Sequence, residues 1–234
     1  MKAAAAYLVH LYTASGAVLA LFALDAGLRQ RPRAAFLLLT IAVFVDASDG
    51  TLARAARVKE RARLFDGARM DDIVDYLTFV FVPMVLAYAW GLLPAEGGLL
   101  VTACPLLASA MGFARVDAKT ADHFFTGFPS YWNVVVLYAY LWGWPPWVNA
   151  ALLLVLSALV FVPVRYVYPS RMPVLRRLTN GLGVLWGVAL LELIRQIPEP
   201  SRWLLWASAA YPAYYVALSL YLTGRWSSRG QPPA

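Results

Sequence analysis

Long apolar segments alternate with short polar or proline-containing turns along almost the whole chain. Eight such segments can be distinguished, and the fifth is shorter than most of the others. A helix needs about 20 mostly apolar residues to cross the hydrocarbon core of a bilayer. The pattern therefore predicts an all-α integral membrane protein with about eight transmembrane helices. The predicted spans are 4–27, 35–53, 68–93, 97–116, 128–143, 147–167, 180–197 and 203–223.

This pattern leaves no room for a separate soluble domain. The expectation is a single transmembrane domain over 1–234, with a short polar tail over 224–234. The first apolar run is too long for a signal peptide and contains His10, so we interpret it as the first span.

Composition supports the membrane interpretation. The chain is 61% hydrophobic and 14% charged, whereas soluble domains are nearer half apolar and a quarter charged. Disorder is excluded by the same values, and a disulfide scaffold by Cys104, the only cysteine. The net charge of +7 would suggest a nucleic-acid partner in a soluble protein. Here it predicts loops that face anionic lipid headgroups and no nucleic-acid partner.

The distribution of basic residues predicts the orientation. With the N-terminus on side one, fifteen of the 20 lysines and arginines fall on side one. Basic residues concentrate on the cytoplasmic side of membrane proteins, so both termini are predicted to be cytoplasmic. The three arginines at 29–33 oppose this assignment locally. The residues on side two are Arg29, Arg31, Arg33, Arg195 and Arg202.

Acidic residues are concentrated around the second and third spans. Asp46 and Asp49 end the second span, and Asp71 and Asp75 begin the third. Each pair has i, i+3 or i, i+4 spacing and therefore shares one helix face. Because one loop joins the two spans, the faces can meet and place four carboxylates around one point. Asp72 points off this face and is expected to pair with an arginine.

Such a set of carboxylates needs compensation. An aspartate at mid-bilayer costs about 2.5–3.5 kcal/mol on insertion scales. Oxygen ligands in this number suit Mg²⁺, Mn²⁺ or Ca²⁺ rather than zinc. The alternative is that the acids only pair with Arg54, Arg57, Arg63 and Arg69, which would account for one or two of them.

The acids form part of a longer motif. It reads Asp46-x2-Asp49-Gly50-x2-Ala53-Arg54-x12-Gly67-x3-Asp71-x3-Asp75. This string resembles the signature of the CDP-alcohol phosphatidyltransferases. The spacing of twelve between arginine and glycine resembles one branch, the bacterial phosphatidylcholine synthases. Val9 to Gly16 and Lys119 to Asn133 resemble that branch as well, and Ala47-Ser48 departs from it where a glycine is expected.

The resemblance implies a reaction and its setting. CDP-diacylglycerol and choline would give phosphatidylcholine and CMP. The expected cofactor is Mn²⁺ or Mg²⁺, and the expected assembly is a homodimer. The site would lie on the cytoplasmic side of a bacterial inner membrane.

The resemblance also implies roles for particular residues. Asp46, Asp49, Asp71 and Asp75 would ligate one or two metal ions, and Asp75 would also be the general base. The nucleotide or its phosphates would contact residues of the motif and of the first span. These predicted contacts are Gly50, Ala53, Arg54, Gly67, Thr13 and Ser15. His10 and Lys119 are further candidates, and Thr13 and Ser15 could equally be contacts between helices.

Choline carries a quaternary ammonium, which has no hydrogen to donate. Aromatic faces would have to hold it, at about 0.5–2 kcal/mol per ring. The first candidates are Tyr131 and Trp132, and Asn133 could bond the hydroxyl. Tyr76 and Phe79 on the third span are further candidates. Any of these rings could instead belong to the core or to an interfacial belt.

Two alternatives remain open from the sequence. The same chemistry could use another alcohol, such as serine or inositol phosphate. In a different class of protein, acids in spans mark the path of a cation channel or carrier. An ion path would distribute acids through the bilayer, whereas this cluster sits at one level beside glycines, which favours catalysis.

Overall fold

The computed structural model describes residues 2–115, 124–167 and 175–227. Each of the eight predicted apolar segments contains a helix. Some are shorter than predicted, and α3 is a short additional helix in the loop after α2. The helices are α1 (Lys2–Leu28), α2 (Pro32–Ala56), α3 (Val58–Arg61), α4 (Gly67–Asp75), α5 (Val82–Ala89), α6 (Gly98–Ala114), α7 (Trp132–Trp142), α8 (Pro146–Leu159), α9 (Arg176–Arg195) and α10 (Arg202–Ser227).

The helices differ in their ability to cross a membrane. Within the described residues, four helical stretches are long and apolar enough to do so: Ala4–Leu28, Pro32–Ala56, Gly67–Ala89 and Arg176–Arg195. Three apolar helices, α6, α7 and α8, are shorter. The chain is thus an all-α membrane protein. The last helix runs to Ser227, three residues beyond the predicted start of the polar tail.

The predicted sixth span, 147–167, is wrong at its C-terminal end. Helix α8 ends at Leu159. Pro163 follows, and a proline restricts the residue before it and donates no backbone hydrogen bond. Residues Arg165–Val167 then form a strand, β2, which pairs antiparallel with strand β1 (Phe124–Thr126). This small sheet packs against α10, where Val167 N donates to Ser219 Oγ at 3.1 Å.

The third span is one continuous helix with a widened middle. Residues Tyr76–Phe81 form a π-helical segment between α4 and α5. Pro83 lies two residues after the end of this segment. Because a proline lacks the backbone N–H and its ring collides with the carbonyl four residues earlier, a local widening relieves the contact. The segment begins immediately after Asp75.

Helix α1 packs very closely on the third span. A Cβ atom on Gly16 would lie 2.4 Å from Val74 Cγ1, and one on Gly27 would lie 2.2 Å from Leu86 Cδ2. Leu86 is fully buried in the cluster that α1, α2 and α5 share. The main core lies on the other side of α5, around Trp132, and includes residues from α7, α8, α9 and α10.

We predict that Gly27→Ala lowers the stability of the protein. The new methyl group would overlap Leu86, which has no free space to move, and overpacking of a core costs about 1–3 kcal/mol. The apparent unfolding midpoint in mild detergent measures this effect. The matched control is Gly181→Ala in α9, where no atom lies within 4 Å of the position that the new methyl group would take. An equal effect of both substitutions would contradict the proposed close packing.

Candidate active site

Four aspartates from α2 and the third span meet at one end of the helix bundle. Carboxylate oxygens of Asp46, Asp49 and Asp71 all lie within 4.8 Å of one another. Asp75 lines the same small cavity as these three. The two helix faces that the spacing predicted to meet therefore do so.

The local sequence explains how α4 returns toward α2. Helix α2 ends at Ala56, where Arg57 adopts a left-handed conformation and turns the chain. Asp66 then caps α4, since its carboxylate accepts hydrogen bonds from the backbone N–H groups of Ala68 at 3.0 Å and Arg69 at 3.3 Å. An aspartate at this position satisfies donors that the first helical turn leaves unpaired. The cap fixes the start of α4, one turn before Asp71.

Helix α1 supports the acids from the side. Thr13 Oγ1 donates to Asp49 Oδ2 at 2.7 Å, and both side chains are buried. Next to this pair, the hydroxyl groups of Tyr12 and Ser48 are 2.8 Å apart. The Thr13 bond from α1 to α2 is the contact between helices that the sequence left open for this residue, and the nucleotide contact stays a prediction. Ser15 donates to the carbonyl of Tyr12 at 2.6 Å, so its hydroxyl serves its own helix.

The donor set fits a divalent cation. Oxygen ligands of one Mg²⁺ lie about 3–4.2 Å apart, because each metal–oxygen bond is about 2.1 Å long. The 4.8 Å spread of the oxygens of Asp46, Asp49 and Asp71 is close to this range, and small side-chain rotations would close the difference. Carboxylates without sulfur or imidazole partners favour Mg²⁺, Mn²⁺ or Ca²⁺.

A second cavity of about 200 Å³ adjoins the acids. Asp46, Asp71 and Asp75 line one part of it, and Asp72 lines it too. Asp72 does not line the small cavity where the other four aspartates meet, in keeping with its predicted position off their shared face. The predicted pairing of Asp72 with an arginine is not found among the described residues.

Aromatic side chains line the opposite part of this cavity. Phe79 and Tyr131 both border it, with their ring centroids 6.3 Å apart. Phe113 and Phe128 border it as well. The cavity thus combines a carboxylate side with an aromatic side, and two of the five predicted choline contacts belong to the aromatic side.

The other three predicted choline contacts lie elsewhere. Trp132 is fully buried, and its indole N–H donates to Ser109 Oγ at 2.7 Å. Its ring packs behind Phe128, with centroids 5.1 Å apart, so it supports the aromatic wall from the core. Trp132 therefore has no surface for a ligand. The sequence pattern could not predict the burial of Trp132, because the position of a residue near the start of a helix does not determine whether its side chain packs inward.

Asn133 and Tyr76 also bond within the protein. Asn133 is buried, and its Oδ1 accepts from the backbone N–H of Val134 at 2.9 Å. The Tyr76 hydroxyl donates to the carbonyl of Leu106 at 3.0 Å and joins the third span to α6. Tyr76 thus joins two elements, whereas the Asn133 bond stays within the first turn of α7.

Residues that the sequence did not single out pack against the aromatic wall or line the cavity beside it. Tyr215 of α10 contacts Tyr131 edge to face, with centroids 6.3 Å apart, and stacks on Tyr166 of β2. Burial raises the pKa of Tyr166 above its ordinary value, which keeps it neutral. Gly127 lines the cavity with φ of +83°, and a Cβ there would lie 2.0 Å from the carbonyl oxygen of Val160. No local spacing relates residues this distant in the chain.

The small residues of the motif are in contact with other parts of the protein. Gly50 is next to Arg54, whose Nη2 donates to Thr51 Oγ1 at 3.0 Å. Ala53 packs against a cluster of Ala6, Val58 and Ala62.

Gly67 faces His10, and a Cβ on it would lie 3.1 Å from His10 Cε1. Here the missing side chain makes room for the histidine, which is itself buried. Lys119, the predicted phosphate contact, lies outside the described residues.

Fold and site together define a multi-pass helical membrane protein with a carboxylate centre at one end of its bundle. Proteins with similar sequences give a closer assignment. The chain is 40% identical to a phosphatidylcholine synthase of Legionella pneumophila, over 94% of this chain and 89% of the relative. It is 40% identical to that of Pseudomonas aeruginosa, over 95% and 93% of the two chains. The phosphatidylcholine synthase of Borreliella burgdorferi is 30% identical over 96% and 97%.

These relatives cover nearly the whole chain. The chain therefore belongs to the phosphatidylcholine synthase family, and the predicted resemblance to this branch is confirmed. No protein-family model matches the chain.

We predict that Thr13→Val destabilises the protein by about 1–3 kcal/mol. Valine has nearly the same shape but leaves a buried carboxylate oxygen of Asp49 without its donor. Thermal unfolding in detergent measures the loss. Thr13→Ser keeps the hydroxyl and should remain near the unaltered protein. If Thr13→Val and Thr13→Ser behave alike, the hydrogen bond to Asp49 is not what holds these helices together.

Proposed function

We propose that this protein is an enzyme that transfers the phosphatidyl group of CDP-diacylglycerol to choline, giving phosphatidylcholine and CMP. The observation that carries the proposal is the meeting of four aspartates beside a cavity whose other side is aromatic. Carboxylates suit a metal-bound pyrophosphate, and aromatic faces suit a quaternary ammonium. The names of the relatives identify choline as the alcohol.

The reaction is a substitution at phosphorus. The choline oxygen forms a bond to the phosphorus of the phosphatidyl group, and the bond between that phosphorus and the CMP oxygen breaks. Choline is a poor nucleophile until a base removes its proton. Asp75 is our candidate for this base, because it lines both the acid cavity and the cavity with the aromatic side. The proton moves from the choline hydroxyl to the Asp75 carboxylate.

Asp46, Asp49 and Asp71 would hold a divalent cation, Mn²⁺ or Mg²⁺, with Asp75 beside it. When bound, such a cation would offset the charge that builds on the pyrophosphate oxygens as CMP leaves. Thr13 would then act as a positioning residue, since its hydrogen bond fixes one oxygen of Asp49.

The nucleotide is proposed to lie along the small residues of the motif. The motif assigns Gly50, Ala53 and Gly67 to this contact, and Arg54 is exposed beside Gly50. An exposed arginine can bind phosphate through two donors of its guanidinium group. The choline headgroup is proposed to contact Phe79 and Tyr131.

Membrane arrangement and assembly extend this proposal. We place about eight helices across a bacterial inner membrane, with both termini and the acids on the cytoplasmic side. The excess of basic residues on that side supports this orientation. A homodimer is the proposed assembly.

The alternatives differ in the features they would need. Serine would call for a cationic partner for its carboxylate, and inositol phosphate for a basic pocket, whereas aromatic and acidic residues line the cavity. A cation path would need acids at several depths of the bilayer. The four motif aspartates instead surround one small cavity.

The direct test uses membranes that contain the full chain, CDP-diacylglycerol, Mn²⁺ and labelled choline. The expected result is labelled phosphatidylcholine in amounts that depend on CDP-diacylglycerol. Labelled serine or inositol phosphate in place of choline should give little lipid product. Equal use of serine and choline would overturn the choice of alcohol, and no lipid product from any alcohol would overturn the proposed reaction.

We predict that Asp75→Asn lowers turnover by about 10²–10⁴-fold, the usual contribution of a general base. Asparagine is nearly isosteric but cannot accept the choline proton. Steady-state rates at saturating substrates measure the loss, while binding of CDP-diacylglycerol should survive better than turnover. The control is Asp25→Asn, which removes the charge of an exposed partner of Arg29 near the C-terminal end of α1, away from the four aspartates. Near-normal turnover of Asp75→Asn would assign the base elsewhere.

We predict different outcomes for the two neighbouring aromatic residues. Tyr131→Ala removes a ring that borders the cavity, so the KM for choline should rise several-fold, equivalent to about 1 kcal/mol, with a smaller change for CDP-diacylglycerol. Trp132→Ala empties a core site and should instead lower stability by about 3–5 kcal/mol.

Trp147→Ala is the control for this pair, because Trp147 is 69% exposed at the start of α8. Trp147→Ala should change neither the KM for choline nor the KM for CDP-diacylglycerol. A rise in both substrate constants for Tyr131→Ala, with normal protein levels, would argue against a choline contact at that ring.

A further inference from the structure

A larger cavity, of about 760 Å³, lies at the opposite end of the bundle from the aspartates. It opens where the turn between α1 and α2 meets the segment after α9. Arg33 lines it and lies thirteen residues before Asp46 on α2. At 1.5 Å per helical residue, the two residues are about 20 Å apart along the helix. The proposed transfer reaction makes no use of this cavity.

The rim of this far cavity is cationic. Arg31 and Arg33 both line it. Arg33 donates to the carbonyl of Ile197, which holds its guanidinium at the rim. No described residue forms a hydrogen bond or ion pair with the Arg31 side chain. Among the described residues that line this cavity, none is acidic.

Asp25, Glu192 and Glu199 are near this rim in the chain. None of them forms an ion pair with Arg31 or Arg33 within the described residues. Asp25 accepts two hydrogen bonds from Arg29 Nε, each 2.9 Å long. Glu192 binds Arg195 at 2.7 Å and Gln196 at 2.7 Å. Asp25 and Glu192 thus bind other side chains. Neither carboxylate offsets the positive charge that Arg31 and Arg33 bring to the cavity.

The inner wall of the far cavity is aromatic and carries one available polar group. Trp90 and Tyr140 line it, with centroids 5.2 Å apart, and Phe36 packs behind both. The Trp90 N–H is used, since it donates to the carbonyl of Gly27 at 3.0 Å. The Tyr140 hydroxyl has no hydrogen-bond partner within the described parts of the chain.

An apolar stripe leads away from this cavity along α2. Leu37 lines the cavity, and Ile41 and Phe44 follow at i+4 and i+7 on the same face. All three side chains are exposed, at 37%, 48% and 60%. A ligand that occupies both the cationic cavity and this apolar stripe must be anionic at one end and carry a long apolar chain at the other.

We propose that this cavity binds the phosphate headgroup of an anionic phospholipid, with an acyl chain along Leu37, Ile41 and Phe44. Arg31 and Arg33 bind the phosphate, and the Tyr140 hydroxyl donates to the headgroup. Arginine suits this role because its donors match phosphate oxygens in pairs. The occupant is a lipid of the leaflet opposite the aspartates, so the site is independent of the transfer reaction.

The test measures lipid binding to the purified full chain in neutral detergent by native mass spectrometry. Phosphatidylglycerol should bind saturably, and phosphatidylcholine, whose headgroup has no net charge, should bind more weakly. Arg31→Gln should weaken phosphatidylglycerol binding about five-fold, as expected for one arginine near anionic lipid. Tyr140→Phe should also weaken phosphatidylglycerol binding. Because this substitution removes a hydroxyl group and no charge, it tests the proposed hydrogen bond to the headgroup separately from the charge of the arginines.

The matched control is Arg29→Gln, which removes the same charge from the same turn outside the cavity. It should leave phosphatidylglycerol binding unchanged. Equal weakening by Arg29→Gln and Arg31→Gln would overturn the site, because the effect would then be general surface charge. Equally tight binding of sn-glycerol 3-phosphate would overturn the lipid as occupant and leave a site for a free phosphate ester.

Discussion

A carboxylate is costly to remove from water, and this chain brings four of them together at one end of an apolar bundle. Each aspartate would cost about 2.5–3.5 kcal/mol at the centre of a bilayer. Mutual repulsion adds to this cost where oxygens of three carboxylates lie within 4.8 Å. Thr13 offsets part of this cost, because it donates a hydrogen bond to Asp49. The Asp66 cap fixes the turn that brings Asp71 to the other aspartates. We propose that a bound divalent cation would offset this repulsion further.

The same arrangement links packing to chemistry. Close contact of α1 with the third span, through Gly16 and Gly27, holds Thr13 beside Asp49. The π-helical segment then carries the chain from Asp75 to Phe79, so that acid and aromatic groups face one cavity. Trp132 supports the far wall from the core through Phe128. Residues that never touch a substrate thus determine where the reacting groups lie.

Helical spacing was sufficient to predict the apolar segments and the meeting of the four aspartates, because both depend on regular periodicity within one or two helices. It was insufficient for the aromatic wall. Tyr215 reaches Tyr131 from α10, and the β1–β2 pair joins segments about forty residues apart. Trp132 was chosen as a choline contact for its aromatic ring and Asn133 for its polar side chain, yet both side chains are buried. Such contacts depend on the whole arrangement of helices, which a local pattern does not contain.

The central claim is that the four aspartates act as one metal-dependent centre for transfer to choline. The most direct measurement is the rate of labelled phosphatidylcholine formation in membranes treated with EDTA and then titrated with Mn²⁺ or Mg²⁺. We expect EDTA to abolish the reaction and either added ion to restore it in the unaltered protein. Full activity in the presence of the chelator would contradict the metal role of Asp46, Asp49 and Asp71.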